Sequence, residues 1–314
     1  MNFVVALCTA ARDISLGGSV TVAIDQAVSL LAAVTLIEMM ATLGLGVNAS
    51  DVLGVGKRRE LLVRALLANY MIVPVAALGL LLLFRAGPMV AAGLLVAAVC
   101  PGAPYAPPFT AMAKGNVTVA VGLMVLLAAS SAILAPLLLG FLVPIVAGSA
   151  PVKINVLKMI GTLLGAQLLP LCLGLWIRHS HARVADRLKK PAGVLSLSLN
   201  LLLLTLIIVS QFRTLAEIHL KGYFGMLCLV LATLAAGRVV TKRGQDDTAK
   251  SMILTTSVRN VGVSLVIVTT SFPGTPAITS ATAYAIFQTV TIALLALAWG
   301  RHTPRVQFVE QKAA

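Results

Sequence analysis

Acidic residues are scarce in this 314-residue chain: Asp and Glu together number 10, and charged residues of both signs make up only 11%. A soluble domain carries about 25% charged residues and is roughly 45 to 50% apolar. A chain that is 59% apolar, with a mean hydropathy of +1.00, cannot cover a water-facing globule with polar groups. It belongs in a membrane. Histidine is equally sparse, and all four lie outside the apolar runs, His179, His181 and His302 on the expected inner side and His219 in an outer loop. No His-x-x-x-His, Ser/His pair or Asp dyad lies inside a run, which argues against an intramembrane metalloenzyme or nucleophilic enzyme. Cys8, Cys100, Cys172 and Cys228 show no CxxC spacing and no His at ligand distance, so they read as buried thiols, with neither disulfide nor metal site. Met1 to Ala10 lacks a basic n-region and a small-residue cleavage site, so a signal peptide is not expected. No cofactor motif is present.

What the chain does have is apolar length. A spanning helix needs about 20 mostly apolar residues, and nine runs qualify: 26–47, 62–84, 88–113, 117–147, 155–177, 191–211, 222–240, 250–271 and 277–299. The runs are continuous rather than alternating, which excludes barrel strands. The expected organisation is an outer segment at 1–25, one membrane domain at 26–299 and a cytoplasmic tail at 300–314. The net charge of +14 would suggest nucleic acid in a soluble protein, but here the basic residues sit in short gaps between spans. Seventeen of them, including Lys57, Arg58, Arg59, Arg183, Arg187, Lys189 and Lys190, fall on one side and six on the other. The excess marks the cytoplasmic side. The N-terminus is therefore expected outside and the C-terminus inside, with Trp176 beside Arg178 and Trp299 beside Arg301 as interfacial belts.

Two spans are interrupted. The third contains Cys100-Pro101-Gly102-Ala103-Pro104-Tyr105-Ala106-Pro107-Pro108. Each proline removes a donor and clashes one turn back, so a continuous helix is excluded. The eighth carries Thr255-Thr256-Ser257-Val258-Arg259-Asn260-Val261-Gly262 at its centre. A mid-span Arg costs at least about 2.5 to 3.5 kcal/mol on insertion scales, so Arg259 should face a cavity or a partner. The two spans run in opposite directions, and paired interrupted helices in inverted halves point to a secondary transporter with a midplane site.

Cys100-Pro101-Gly102, Thr110 and Ala113-Lys114-Gly115-Asn116 resemble the conserved fourth-helix stretch of the bile acid:sodium symporter family. Gly44-Leu45, Asn69 to Pro74 and Arg259-Asn260 resemble further family segments, with matching span order from about residue 26 to 299. The resemblance implies a nine-helix form, a panel domain packed on a core domain in which two broken helices cross, and sodium-coupled uptake of organic anions. It also implies which positions would ligate sodium. The family's Ser-Asn pair falls on Ala106 and Pro107, its bridging Glu on Thr255, its ligating Gln on Arg259, and a second Gln on Asn69. Of these only Asn69 keeps a matched hard oxygen, and a sodium site needs several. Arg259 would in addition repel a cation.

Arg259 is thus a candidate stand-in for a bound sodium, anchoring an anionic substrate through its fork, or else a structural partner for a carboxylate. Glu38, the one acidic residue deep in a span, is either that partner or a proton-coupling site. Asn260 reads as a substrate donor or as a cap on the broken helix, Gln288 as a cavity residue or a helix-helix bond, and Tyr105 as cavity wall or filler. Asn69 is a further substrate-site candidate. Thr110 and Ser257 are weaker ones, because small hydroxyls in membrane helices usually bond back to their own backbone. The leading function is a secondary transporter of an organic anion, bile-acid-like or a small carboxylate or sulfonate. A non-transporting sensor or inactive homologue is the alternative, with no output domain expected after residue 299. A bacterial inner membrane is the expected location.

Overall fold

The structure is a computed structural model that describes residues 18–147, 154–210, 212–241 and 246–302. The readings made on Met1 to Ala10, Cys8 and most of the tail at 300–314 lie outside the described residues. Every regular element among them is a helix. In order these are α1 (Gly18–Gly46), α2 (Ala49–Lys57), α3 (Arg59–Leu83), α4 (Pro88–Val99), α5 (Ala106–Met112), α6 (Val117–Ala147) and α7 (Val156–Ser180). They continue as α8 (Ala182–Ser210), α9 (Phe212–Ala216), α10 (Leu220–Val239), α11 (Asp246–Ser257), α12 (Val261–Ser271) and α13 (Pro276–His302). Eight spans among the described residues are long and apolar enough to cross a membrane, with α11 and α12 together forming one of them. The protein is an all-α integral membrane protein.

Two helices widen where a proline intervenes. Pro74 cannot donate to the carbonyl of Tyr70, nor Pro170 to that of Ala166. In each case the turn before it opens into a π segment, Ala68–Ile72 in α3 and Leu164–Leu168 in α7. Each segment carries one fully buried amide, Asn69 and Gln167.

The interior is built on small residues, which let backbones approach closely. A Cβ on Gly93 of α4 would strike the Ala277 carbonyl and Ser280 hydroxyl of α13, and one on Gly44 of α1 would lie 2.8 Å from the Gly174 Cα of α7. The span of α11 and α12 is 94% buried in its most apolar stretch, whereas that of α8 is 11% buried. The second interrupted span is therefore the centre of the molecule and α8 its periphery.

Several sequence expectations change. The gap after α1 holds α2, whose Val55 packs against Gly122 of α6. The basic stretch before residue 191 is helical and forms the start of α8, with Arg178 paired to Asp186 across the turn. The thiols are not uniformly buried: Cys100 is, but Cys228 is partly exposed and Cys172 exposed on the outer face of α7, where lipid is the natural neighbour of a thiol.

Candidate functional site

The first break is narrower than its prolines suggest. Only residues 100–105 leave the helix; Pro107 and Pro108 lie in the first turn of α5, where a missing donor is an orphan in any case. Gly102 takes φ +84°, and a Cβ there would lie 2.6 Å from the Ala128 Cα of α6, so this position requires glycine. Pro101 and Pro104 lie within the unwound stretch. In the second interruption, only 258–260 unwind, and Thr255 and Ser257 remain in the last turn of α11.

The two breaks satisfy each other. The Asn260 amide donates to the Cys100 carbonyl at 2.8 Å, and Asn260 Nδ2 donates to the Gly102 carbonyl at 3.2 Å. Asn260 Oδ1 accepts from the Val263 amide at 3.2 Å, which caps α12. One side chain thus ties both unwound segments and starts the next helix. This is how backbone groups freed at membrane depth are satisfied without water.

Arg259 sits beside that knot, fully buried. Its Nη1 donates to Asn69 Oδ1 at 3.0 Å and its Nη2 to the Thr256 carbonyl. Asn69 Nδ2 in turn donates to the Ala65 carbonyl at 2.8 Å and contacts Thr256 Oγ1 at 3.4 Å. Gln288 brackets the backbone of Arg259, accepting from its amide at 3.2 Å and donating to its carbonyl at 3.3 Å. No carboxylate pairs with Arg259 among the described residues. Its Nε and the hydroxyl of Tyr284, one turn before Gln288, are buried without a hydrogen-bond partner among them. Tyr284, Cys100 and Tyr70 are its electrostatic neighbours.

Other candidates resolve differently. Glu38 does not meet Arg259: its carboxylate accepts from Thr42 Oγ1 at 2.7 Å and from Ser196 Oγ of α8 at 2.5 Å. Tyr105 at the head of α5 accepts from Asn200 Nδ2 of α8. The hydroxyls of Thr110, Thr255 and Ser257 donate to carbonyls of their own helices, Ala106, Ser251 and Ile253. Ala106 and Pro107 offer no side-chain oxygen.

Two cavities flank this centre at opposite ends of α1. One, of about 440 Å³, lies between α1, α8 and the first break, with Met39, Leu43, Tyr105, Pro107, Met124 and Lys189 in its wall. Thr42 and Ser196, the partners of Glu38, line it too. The other, of about 920 Å³, lies between α1, α7 and the end of α12 and includes Gln26, Ser29, Lys158, Thr162 and Thr270. Each has a single charged lining residue among the described residues, Lys189 in the first and Lys158 in the second. Gln26 and Met39 are 13 residues apart, about 20 Å along a helix.

The family model described as the sodium bile acid symporter family matches residues 33–218. The chain belongs to that family. This symporter-family match spans α1 from residue 33 through α9 and so takes in Glu38, Asn69, the first break and Gln167; Arg259, Asn260 and Gln288 lie beyond it. No individually curated protein matches the chain. With its apolar helices, this member of the symporter family is a membrane transporter.

Sequence reasoning missed Gln167, Tyr284, Ser196 and Asn200. Gln167 had a usable signal, a lone amide shortly before a mid-span proline, as at Asn69. Its Nε2 donates to the Ala128 carbonyl at 2.5 Å and to Ser131 Oγ at 2.9 Å, bracing the helix on which Gly102 rests.

Proposed function

We propose that the protein is a secondary transporter of an organic anion that works by alternating access and does without the family's two sodium sites. The observation that carries this reading is the fully buried guanidinium of Arg259, which has no carboxylate partner among the described residues and is held by neutral oxygens of Asn69 and Thr256. A guanidinium stays charged at working pH and excludes a second cation from its pocket. At the other family positions for sodium ligation, Ala106 and Pro107 lack side-chain oxygens, and the Thr255 hydroxyl donates to its own backbone. The donor set does not fit sodium, a hard cation that needs several free oxygens.

In this reading the broken pair α4 and α5 makes a ninth crossing, antiparallel to α11 and α12, and the two cross as inverted repeats within the membrane domain at 26–299. The cavities at the two ends of α1 are the outer and inner vestibules, with the inner at Lys189 by the charge bias of the gaps. A lone lysine at each mouth draws anions by focusing. The apolar wall of the inner cavity suits an amphipathic body. The unspent Nε of Arg259 and the Tyr284 hydroxyl are the donors that a carboxylate or sulfonate would meet when the site opens. The chemistry is transport rather than catalysis.

The test is uptake of a labelled organic anion panel into proteoliposomes under a sodium gradient, a proton gradient, and neither. Sodium-independent anion uptake is expected. Sodium-driven uptake would refute the tethered-cation reading, and binding without flux would favour a sensor.

A further inference from the structure

A third cavity, about 390 Å³, lies away from both vestibules, where α3 begins, α10 ends and α11 begins. Its wall includes Arg58, Arg59, Arg64, Glu60, Val240 and Thr248. Among the described residues, three guanidiniums and one carboxylate thus line it. Glu60 is bonded to Arg64 at 2.6 Å, and the other amino group of Arg64 reaches the Val240 carbonyl at 3.4 Å. Arg58 and Arg59 have no side-chain partner among the described residues.

Two helix starts open onto the same basin. The first turn of α3 begins at Arg59 without a side-chain cap, and Thr248 and Ala249 of the first turn of α11 line the wall. The first-turn amides of α3, which no side chain caps, and its positive dipole end favour an anion. Depth is set by α3, a 25-residue apolar span whose first residue is Arg59, so the basin lies at headgroup level. Guanidinium forks with free amides match a phosphate group better than a lone carboxylate.

We infer that this basin binds a phosphate group, of which an anionic phospholipid headgroup is the source that the membrane depth favours and a soluble phosphate compound the other. Occupancy matters for the centre. Asn69 lies ten residues along α3 from Arg59, and Thr256 eight along α11 from Thr248; both hold Arg259. A phosphate held by Arg58 and Arg59 of the α3 start against Thr248 of α11 braces the clamp from its inner end. This does not depend on the transported substrate.

The experiment uses the full chain in phosphatidylcholine nanodiscs with increasing phosphatidylglycerol, and in pure phosphatidylcholine discs with inorganic pyrophosphate. The readout is the thermal unfolding midpoint. Saturable stabilisation is expected, with the half-point shifted by about tenfold or more in Arg58→Gln/Arg59→Gln. Arg183→Gln/Arg187→Gln removes equal charge from the exposed start of α8 and should leave the half-point in place. Arg58→Gln alone serves if the double variant folds poorly. Response to phosphatidylglycerol assigns the lipid source, and response to pyrophosphate alone assigns a soluble one. Stabilisation by neither, or equal shifts in both double variants, would overturn the site.

Discussion

Replacing Arg259 by Gln separates the charge of this residue from its role in packing. The guanidinium makes two hydrogen bonds to neutral acceptors, Asn69 Oδ1 and the Thr256 carbonyl. Hydrogen bonds to charged groups contribute about 1.5 to 3 kcal/mol each. Opposing that gain of about 3 to 6 kcal/mol is the desolvation of a buried ion, several kcal/mol without a counter-charge. The two nearly cancel, so Arg259→Gln should fold, with a stability change within about 2 kcal/mol. Anion binding should suffer more. A carboxylate that accepts from Nε lies about 4 Å from the charge and, at an effective dielectric of about 20, loses about 4 kcal/mol, or roughly a thousandfold in affinity. The assay is competition of labelled uptake in proteoliposomes by a carboxylate and by its methyl ester. Ester inhibition should change by less than about twofold, since the ester carries no charge. Arg259→Lys should keep most of the anion preference while losing the fork. An equal loss for acid and ester, or none for either, would refute the charge argument.

Gly102→Ala should destabilise the fold by at least about 2 kcal/mol, because a positive φ and the Ala128 backbone both reject a Cβ, as a shift in unfolding midpoint would record. Pro107→Ala, in the first turn of α5 and in the wall of the inner cavity, should cost less than about 1 kcal/mol in the same assay yet slow uptake. Normal uptake would show that the cavity tolerates the change. Tyr284→Phe removes a hydroxyl with no partner among the described residues, so it should leave stability nearly unchanged and weaken anion binding; unaltered competition by the carboxylate would remove Tyr284 from the site. Glu38→Gln should preserve the bonds to Thr42 and Ser196 in amide form and abolish any stimulation of uptake by a proton gradient. Persistent stimulation would exclude Glu38 as the proton carrier.

Much of this was legible in the sequence because hydropathy reports burial in lipid directly. The run at 117–147 falls on α6, and both interruptions fall where proline and a mid-span cation placed them. The width of the first break was overread, because a proline is counted as a breaker wherever it stands, whereas Pro107 and Pro108 open a helix. The partner of Glu38 was hidden for a different reason. Ser196 is 158 residues away on a helix whose rotation the apolar pattern does not fix. The π turns around Asn69 and Gln167 arise from local accommodation of Pro74 and Pro170, which composition and span length do not register. The missing acid partner of Arg259 was left open by the sequence alone, since Glu38 was free to sit on either face of α1.

A cation that is covalently part of the chain has an energetic consequence for the direction of flow. A sodium ion that crosses with its anion neutralises the cargo and lends it the ion gradient; Arg259 stays behind with the protein. A monoanion moving without such a companion then carries its own charge through the membrane field. At 100 mV, negative inside, that field opposes entry by about 2.3 kcal/mol per charge. Such a carrier at rest would hold its substrate about fiftyfold more dilute inside than outside. On the proposed sodium-free reading, such a transporter would discharge anions from the cell or swap one for another, and would accumulate them only if a proton rode along.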